Sequence, residues 1–296
     1  MNSEFLFPDV PRVPVAQKVR TLDSAIWTRR KSLLIKLYLQ LFVFVTNRGT
    51  YIDAFAGPQE KEDAWSARLV WTNDPGPKRK RLDRFELFEL KKASASTLRR
   101  MVASVPANKR KVHVIQGDAN IEVPKMLGQR PIGEPAFCLL DQRTTECSWD
   151  LVKILAEHKQ EGHKIELFYF LMAGWKDRSL KNIKRDADVQ MKRWWGRDDY
   201  SVALKASQDR LAEIFRERFM EELGYKYTFP YPIYSNPDGE GGGRLQYWMI
   251  HASDHEEAHK FMSRAYNKLA SGYDPKTKQD EFAWSEAELA SLKRRR

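Results

Sequence analysis

Tyr51-Ile52-Asp53-Ala54-Phe55-Ala56-Gly57-Pro58 is the stretch that decides the fold. A short apolar strand over 50–54 carries an acid near its end and runs into a Gly-Pro breaker, as a buried strand does where it enters a loop. Upstream, Asp23 or Ser24 can cap a helix in which Ile26, Leu33, Leu34, Leu37, Leu41 and Phe42 recur at helical spacing. Downstream, the patterning predicts strands over 84–90, 112–116, 136–141 and 165–171, with helices over 94–105 and 149–158. Strands alternating with helices at this spacing call for an α/β fold with a doubly wound, mostly parallel sheet covered on both faces. A charged helical insertion follows over about 175–223. Two more strands, over 226–231 and 245–252, flank the Gly-rich loop 236–243 as a C-terminal antiparallel hairpin, and a helix over 254–270 completes the core. The domain spans 23–270, between a Pro-rich N-terminal arm (1–22) and a basic C-terminal tail (271–296).

The chain has 296 residues, 42% of them hydrophobic and 12% aromatic, enough to pack a core. Lys and Arg number 51 against 40 Asp and Glu, a formal charge of +11 that favours a polyanionic partner, with nucleic acid (DNA or RNA) the first candidate. Solvated basic helix faces account for the same charge equally well. Two cysteines, Cys138 and Cys147, supply neither a disulfide framework nor a zinc cluster, and His255 and His259 lack an HExxH context, so no metal is expected. The first thirty residues hold no secretory core, and the apolar stretch over 33–45 is interrupted by Lys36 and Gln40. A cytoplasmic protein without a membrane segment is expected.

In open α/β sheets ligands sit beyond the carboxyl ends of the strands, which singles out Asp53, Glu89, Asp118 and Asp141, one at or just past each successive strand. Gly57 lets backbone approach a ligand, Glu89 can accept both hydroxyls of a ribose, and Asp118 can receive an adenine amino group. The cofactor pocket is expected to comprise Lys31, Asp53, Ala56, Gly57, Glu89, Asp118 and Ala119. Helix capping explains any one of these acids but less readily all four. No GxGxxG and no P-loop occurs, which argues against a dinucleotide site and against NTP hydrolysis. A Mg²⁺ nuclease needs its carboxylates gathered at one point, and strand-end acids are spread apart.

The runs YIDAFAGP, FELFE, GDAN, LLDQRTTECSW and YWMIHASDHEEAHKFM resemble the three-Cys-motif partner family over about 31–268. Its members look like class I, Rossmann-like methyltransferases, similar in pattern to rRNA adenine-N6 methyltransferases, and are usually encoded beside a protein with three clustered cysteines. The resemblance implies a methyltransferase fold, S-adenosylmethionine as cofactor and a three-Cys-motif protein as a partner. Two positions depart from the related enzymes: Gln59 stands where a second Gly is usual, and Asp141-Gln142-Arg143-Thr144-Thr145-Glu146-Cys147 replaces the Asp/Asn-Pro-Pro-aromatic motif that holds a flipped base's amine.

Asp141, Arg143 and Glu146 are the candidate catalytic residues: Arg143 to clamp a phosphate or carboxylate, Glu146 to take a proton. An ion pair from Arg143 to Asp141 or Glu146 is the structural alternative. Within the insertion, Lys184, Arg185, Lys192, Arg193, Trp194 and Trp195 combine cations with rings that could stack on an unpaired base, one of the two rings being expected in the core. Two functions follow: a methyltransferase acting on nucleic acid, or a non-catalytic subunit that keeps the fold and binds nucleic acid or a protein complex.

Overall fold

The computed structural model describes residues 31–59, 64–72, 80–106, 109–172, 187–234 and 245–270. The arm 1–22, the tail 271–296, the hairpin loop 236–243, the helix cap at Asp23 or Ser24, and Lys184 and Arg185 lie outside the described residues. In chain order the elements are α1 (Lys31–Thr46), β1 (Arg48–Asp53), α2 (Ser66–Thr72), β2 (Arg81–Glu89), α3 (Lys92–Ala103), β3 (Lys111–Gln116), α4 (Ala119–Gln129), β4 (Ala136–Leu140), α5 (Trp149–Glu157), β5 (Glu166–Met172), α6 (Ala187–Trp195), α7 (Ser201–Lys205), α8 (Gln208–Glu221), β6 (Tyr227–Tyr234), β7 (Leu245–Ser253) and α9 (Ala258–Ala270).

The strands form one seven-stranded sheet in the order β3-β2-β1-β4-β5-β7-β6. Pairing is parallel from β3 to β5, whereas β7 lies antiparallel to both β5 and β6 and so runs alone against the rest. The chain winds from β1 outward to β3, then returns to place β4 on the other side of β1, creating a switch point where neighbouring loops diverge. Both faces of the central strands are buried. Ile52, Cys138, Leu140, Leu167 and Tyr169 face the side covered by α4, α5, α6 and α8; Tyr51, Phe137, Leu139, Phe168 and Phe170 face the side covered by α1, α2, α3 and α9. A period of two with apolar residues on both faces is what a sheet sandwiched between helices demands. Pro230 and Pro232 lie in β6, an edge strand, where the missing N–H breaks no ladder on the open side.

Helix α4 has no counterpart among the helices expected from the sequence. Pro124 lies inside it and argues against a helix, yet Asp118 caps its start by accepting from the Asn120 N–H, and Val123, Met126 and Leu127 bury its apolar face. The second correction concerns the insertion. Both Trp194 and Trp195 are buried, each at 1% exposure, rather than one of them. Trp194 donates to the Tyr169 hydroxyl at 2.8 Å and Trp195 to Asp199 at 2.6 Å, and both pack on Phe215 of α8. Neither ring is open to a base. Gly196 then stops α6 at a positive φ of 77°, where a Cβ would sit 2.7 Å from that of Trp149.

Candidate functional site

A cavity of about 540 Å³ lies outside the carboxyl ends of β1, β2, β3 and β4, where the winding direction changes. Of the residues expected there, Gly57, Glu89, Asp118, Ala119, Asp141, Arg143 and Glu146 line it together. Gln59 does too, and α6 closes one side with Val189, Gln190 and Arg193. Glu89 is the last residue of β2; its Oε1 accepts from the Lys91 N–H at 2.7 Å, which turns the carboxylate across Gly57. A Cβ at residue 57 would lie 2.9 Å from the Glu89 Cδ and overlap its Oε2, so glycine is what allows the acid to stand over the first loop.

Asp118 is fixed as the cap of α4, its Oδ1 accepting from the Asn120 backbone N–H at 2.9 Å and the Asn120 amide at 2.7 Å. Arg193 reaches its Oδ2 at 3.4 Å. Burial works against ionisation of Asp118, but the two Asn120 hydrogen bonds and the Arg193 guanidinium outweigh it and hold the carboxyl below its ordinary range. Asn120 also ties the loop after β3 to the loop after β4, accepting from Ser148 N–H at 2.8 Å and donating to the Glu146 carbonyl at 2.9 Å. Sequence reasoning passed over Asn120, although an Asn two residues past a capping Asp is a usable sign of such a brace.

Asp53 and Ala56 stand beneath the cavity rather than in its wall. Asp53 is 2% exposed, accepting from the Tyr51 hydroxyl at 2.9 Å and the Phe55 N–H at 3.1 Å. Burial, assisted by the neighbouring Asp141 charge, pushes its carboxyl up to about 7. Ala56 is buried, its carbonyl held by the Trp65 indole at 2.8 Å. Lys31 lies behind the wall as well, its Nζ 2.7 Å from both oxygens of Asp141 and over the rings of Phe170 and Tyr247. The structural alternative, an ion pair from Arg143 to Asp141 or Glu146, does not form. Asp141 is matched with Lys31, Glu146 accepts from the Thr144 N–H at 2.8 Å, and Arg143 is exposed on the cavity wall with no ion-pair partner among the described residues.

Gln142, Cys147 and Ser148 shape the loop after β4 from below. Gln142 is 1% exposed and bridges the Phe170 carbonyl and the Cys147 N–H, and Ser148 caps α5 by accepting from the Leu151 N–H. Burial pushes the Cys147 thiol far up, which leaves it no nucleophilic role. Among the described residues no cluster of His, Cys, Asp and Glu is arranged to hold a metal ion, and no helix is long and apolar enough to cross a membrane.

The sequence matches no family model and no curated protein. Among solved structures the chain is similar to protein LPL1258 of Legionella pneumophila, assigned to the family model DUF519, with a TM-score of 0.42 and 10% identity, covering 84% of this chain and 94% of that one.

Proposed function

We propose that this chain is a methyltransferase-like protein of the class I fold that binds S-adenosylmethionine in the strand-end cavity and acts on nucleic acid. The observation that carries the reading is Glu89 laid across Gly57 in one cavity with Asp118 and Ala119. A carboxylate at the end of β2 suits a ribose diol, and a second at the start of α4 suits an adenine amine. The Glu89 carboxylate occupies the space over Gly57, so the glycine serves the nucleoside by letting that acid reach the cavity. A doubly wound sheet ending in an antiparallel pair is also what the resemblance to three-Cys-motif partner proteins calls for, and a three-Cys-motif protein remains a proposed partner.

Bound S-adenosylmethionine supplies an activated methyl group, so the protein's contribution is mainly to position the acceptor. Asp141, held by Lys31, orients the start of the loop after β4 instead of exchanging protons. Arg143 stands exposed at the cavity wall with no ion-pair partner among the described residues, suited to a phosphate beside the accepting atom. Glu146 is the carboxylate left to take a proton. The net charge of +11 supports a polyanionic acceptor.

The Lys31–Asp141 pair and Gln59 favour a second reading, a subunit that holds the cofactor without transferring its methyl group. Transfer of labelled methyl from S-adenosylmethionine to mixed DNA and RNA decides between them. The enzyme reading predicts incorporation that falls at least tenfold in Arg143→Ala with cofactor affinity retained. Cofactor binding without incorporation selects the subunit.

A further inference from the structure

Carboxylates match the cations of α6 and α8. On α6 Lys192 is paired with Asp188 and Asp198, and Arg193 with Asp118; on α8 Arg210 is paired with Glu217, Arg216 with Glu213 and Arg218 with Glu222. Those of α3 have no such partners. From Leu90 to Gly117, the stretch that holds α3 and β3, there is no Asp or Glu, although the chain carries 40 of them in 296 residues. Lys91, Lys92, Arg99, Arg100, Lys109 and Lys111 are all exposed, and among the described residues none of them forms an ion pair. Arg110 of the same stretch is buried instead, its guanidinium 3.9 Å from the centroid of the Trp71 ring.

The exposed cations are ordered along one face. Lys92, Ser96, Arg99 and Arg100 fall at i, i+4, i+7 and i+8, opposite the buried Leu98 and Met101 that pack α3 on the sheet. Arg99 reaches over the outermost strand to the Val114 carbonyl at 3.3 Å, which joins the helix face to the sheet edge. At the other end Lys91 stands on the wall of the strand-end cavity. The placement is unfavourable for the helix itself. Lys91 and Lys92 sit at the positive end of its dipole with no acid in the first turn, at a cost of about 0.3–1 kcal/mol each. An anion laid along the face removes that penalty and the repulsion among the cations.

We propose that the outer face of α3 is a docking track for the phosphate backbone of single-stranded nucleic acid, leading to the strand-end cavity at Lys91. A helix is roughly 10 Å across, which suits one backbone, and a strand that reaches the cavity can present a base there only when the base is unpaired. Ser96, Ala103 and Ser104, small and exposed, let the strand lie close. The exposed residues of α3 include no large apolar side chain, which a membrane surface would need. The inference rests on the nucleic-acid half of the reading above and requires neither the cofactor nor methyl transfer.

The test measures binding to the full chain, across a salt series, of short fluorescent single strands of mixed-sequence RNA and DNA, of the same sequences as duplexes, and of phosphatidylserine vesicles. The wild type is expected to bind single strands at least threefold tighter than duplexes or vesicles. The triple variant Lys92→Gln, Arg99→Gln, Arg100→Gln is expected to bind single strands at least tenfold more weakly while keeping the circular dichroism of the wild type. Its salt slope is expected to be shallower by up to about 2, for three phosphate contacts on a single strand. Ser96→Glu, whose acid can pair with Arg100 on the helix surface, is expected to weaken single-strand binding at least threefold and decides the matter should the triple variant fail to fold. Unchanged affinity and slope in a folded variant, or binding of duplexes or vesicles as tight as that of single strands, overturns the proposal and leaves the reading above standing. No binding of nucleic acid by the wild type overturns both.

Discussion

At the scale of single residues, Gly57 and Glu89 are one device. An alanine at 57 pushes the Glu89 carboxylate out of its seat, although the side chain can swing away, so folding is spared more than binding. Gly57→Ala is therefore expected to keep a near-normal urea midpoint and to weaken S-adenosylmethionine binding at least tenfold; an unaltered affinity would detach Gly57 from the site. Asp53 carries the clearest pH signature. Its folded value of about 7 lies above the ordinary carboxylate value, so the folded state holds a proton that the unfolded chain releases near pH 4. That contribution is present below about pH 4 and is lost as the pH rises through about 7, on the order of 4 kcal/mol in all. Asp53→Asn is expected to flatten the fall in stability over this window, and parallel slopes in wild type and variant would show that Asp53 is ionised throughout. The strand-end acids were legible because each closes an apolar run. The burial of Asp53 was not, since it depends on where the Tyr51 and Phe55 donors sit after folding.

Elements show where local pattern misleads. Helix α6 has Lys192 and Arg193 beside two tryptophans, which in sequence reads as a nucleic-acid platform. In the fold Lys192 pairs with Asp188 and Asp198, and Arg193 with Asp118. Both rings serve the core, and Arg218 of α8 stacks on Trp195 and on Trp149, with Glu222 accepting from its guanidinium at 2.7 and 3.0 Å. A pair of adjacent aromatics is buried on both sides only when a second helix, here α8, wraps the first; helical period alone does not reveal that. Trp195→Ala is expected to cost about 3–5 kcal/mol in urea unfolding, as for other large core truncations. Loss of nucleic-acid binding without loss of stability would restore the platform. The salt dependence of nucleic-acid binding should follow Arg143 instead: Arg143→Ala is expected to lower the slope by up to about 0.7–0.9, one phosphate contact, and Lys192→Ala to change it little. Helix α4 was missed for the opposite reason, a proline whose local cost is outweighed by the Asp118 cap and the buried Val123 and Met126.

For the molecule as a whole, the alternation of apolar runs with helical stretches was enough to give the doubly wound sheet and its antiparallel close, because both faces of β1, β4 and β5 must be covered. Strand order was not written in any one segment; it follows from the crossovers that return the chain past β1. That return brings Glu89, Asp118, Asp141, Arg143 and Glu146 to one cavity across three loops. The measurement that bears most directly on the account is calorimetric titration of wild type and Glu89→Ala with S-adenosylmethionine and its demethylated product. The account predicts one site for each ligand in the wild type and a loss of roughly 1–3 kcal/mol in the variant, on the order of five- to 150-fold in Kd, with the fold intact. Absence of binding to the wild type, or equal affinity in a folded Glu89→Ala, would contradict it.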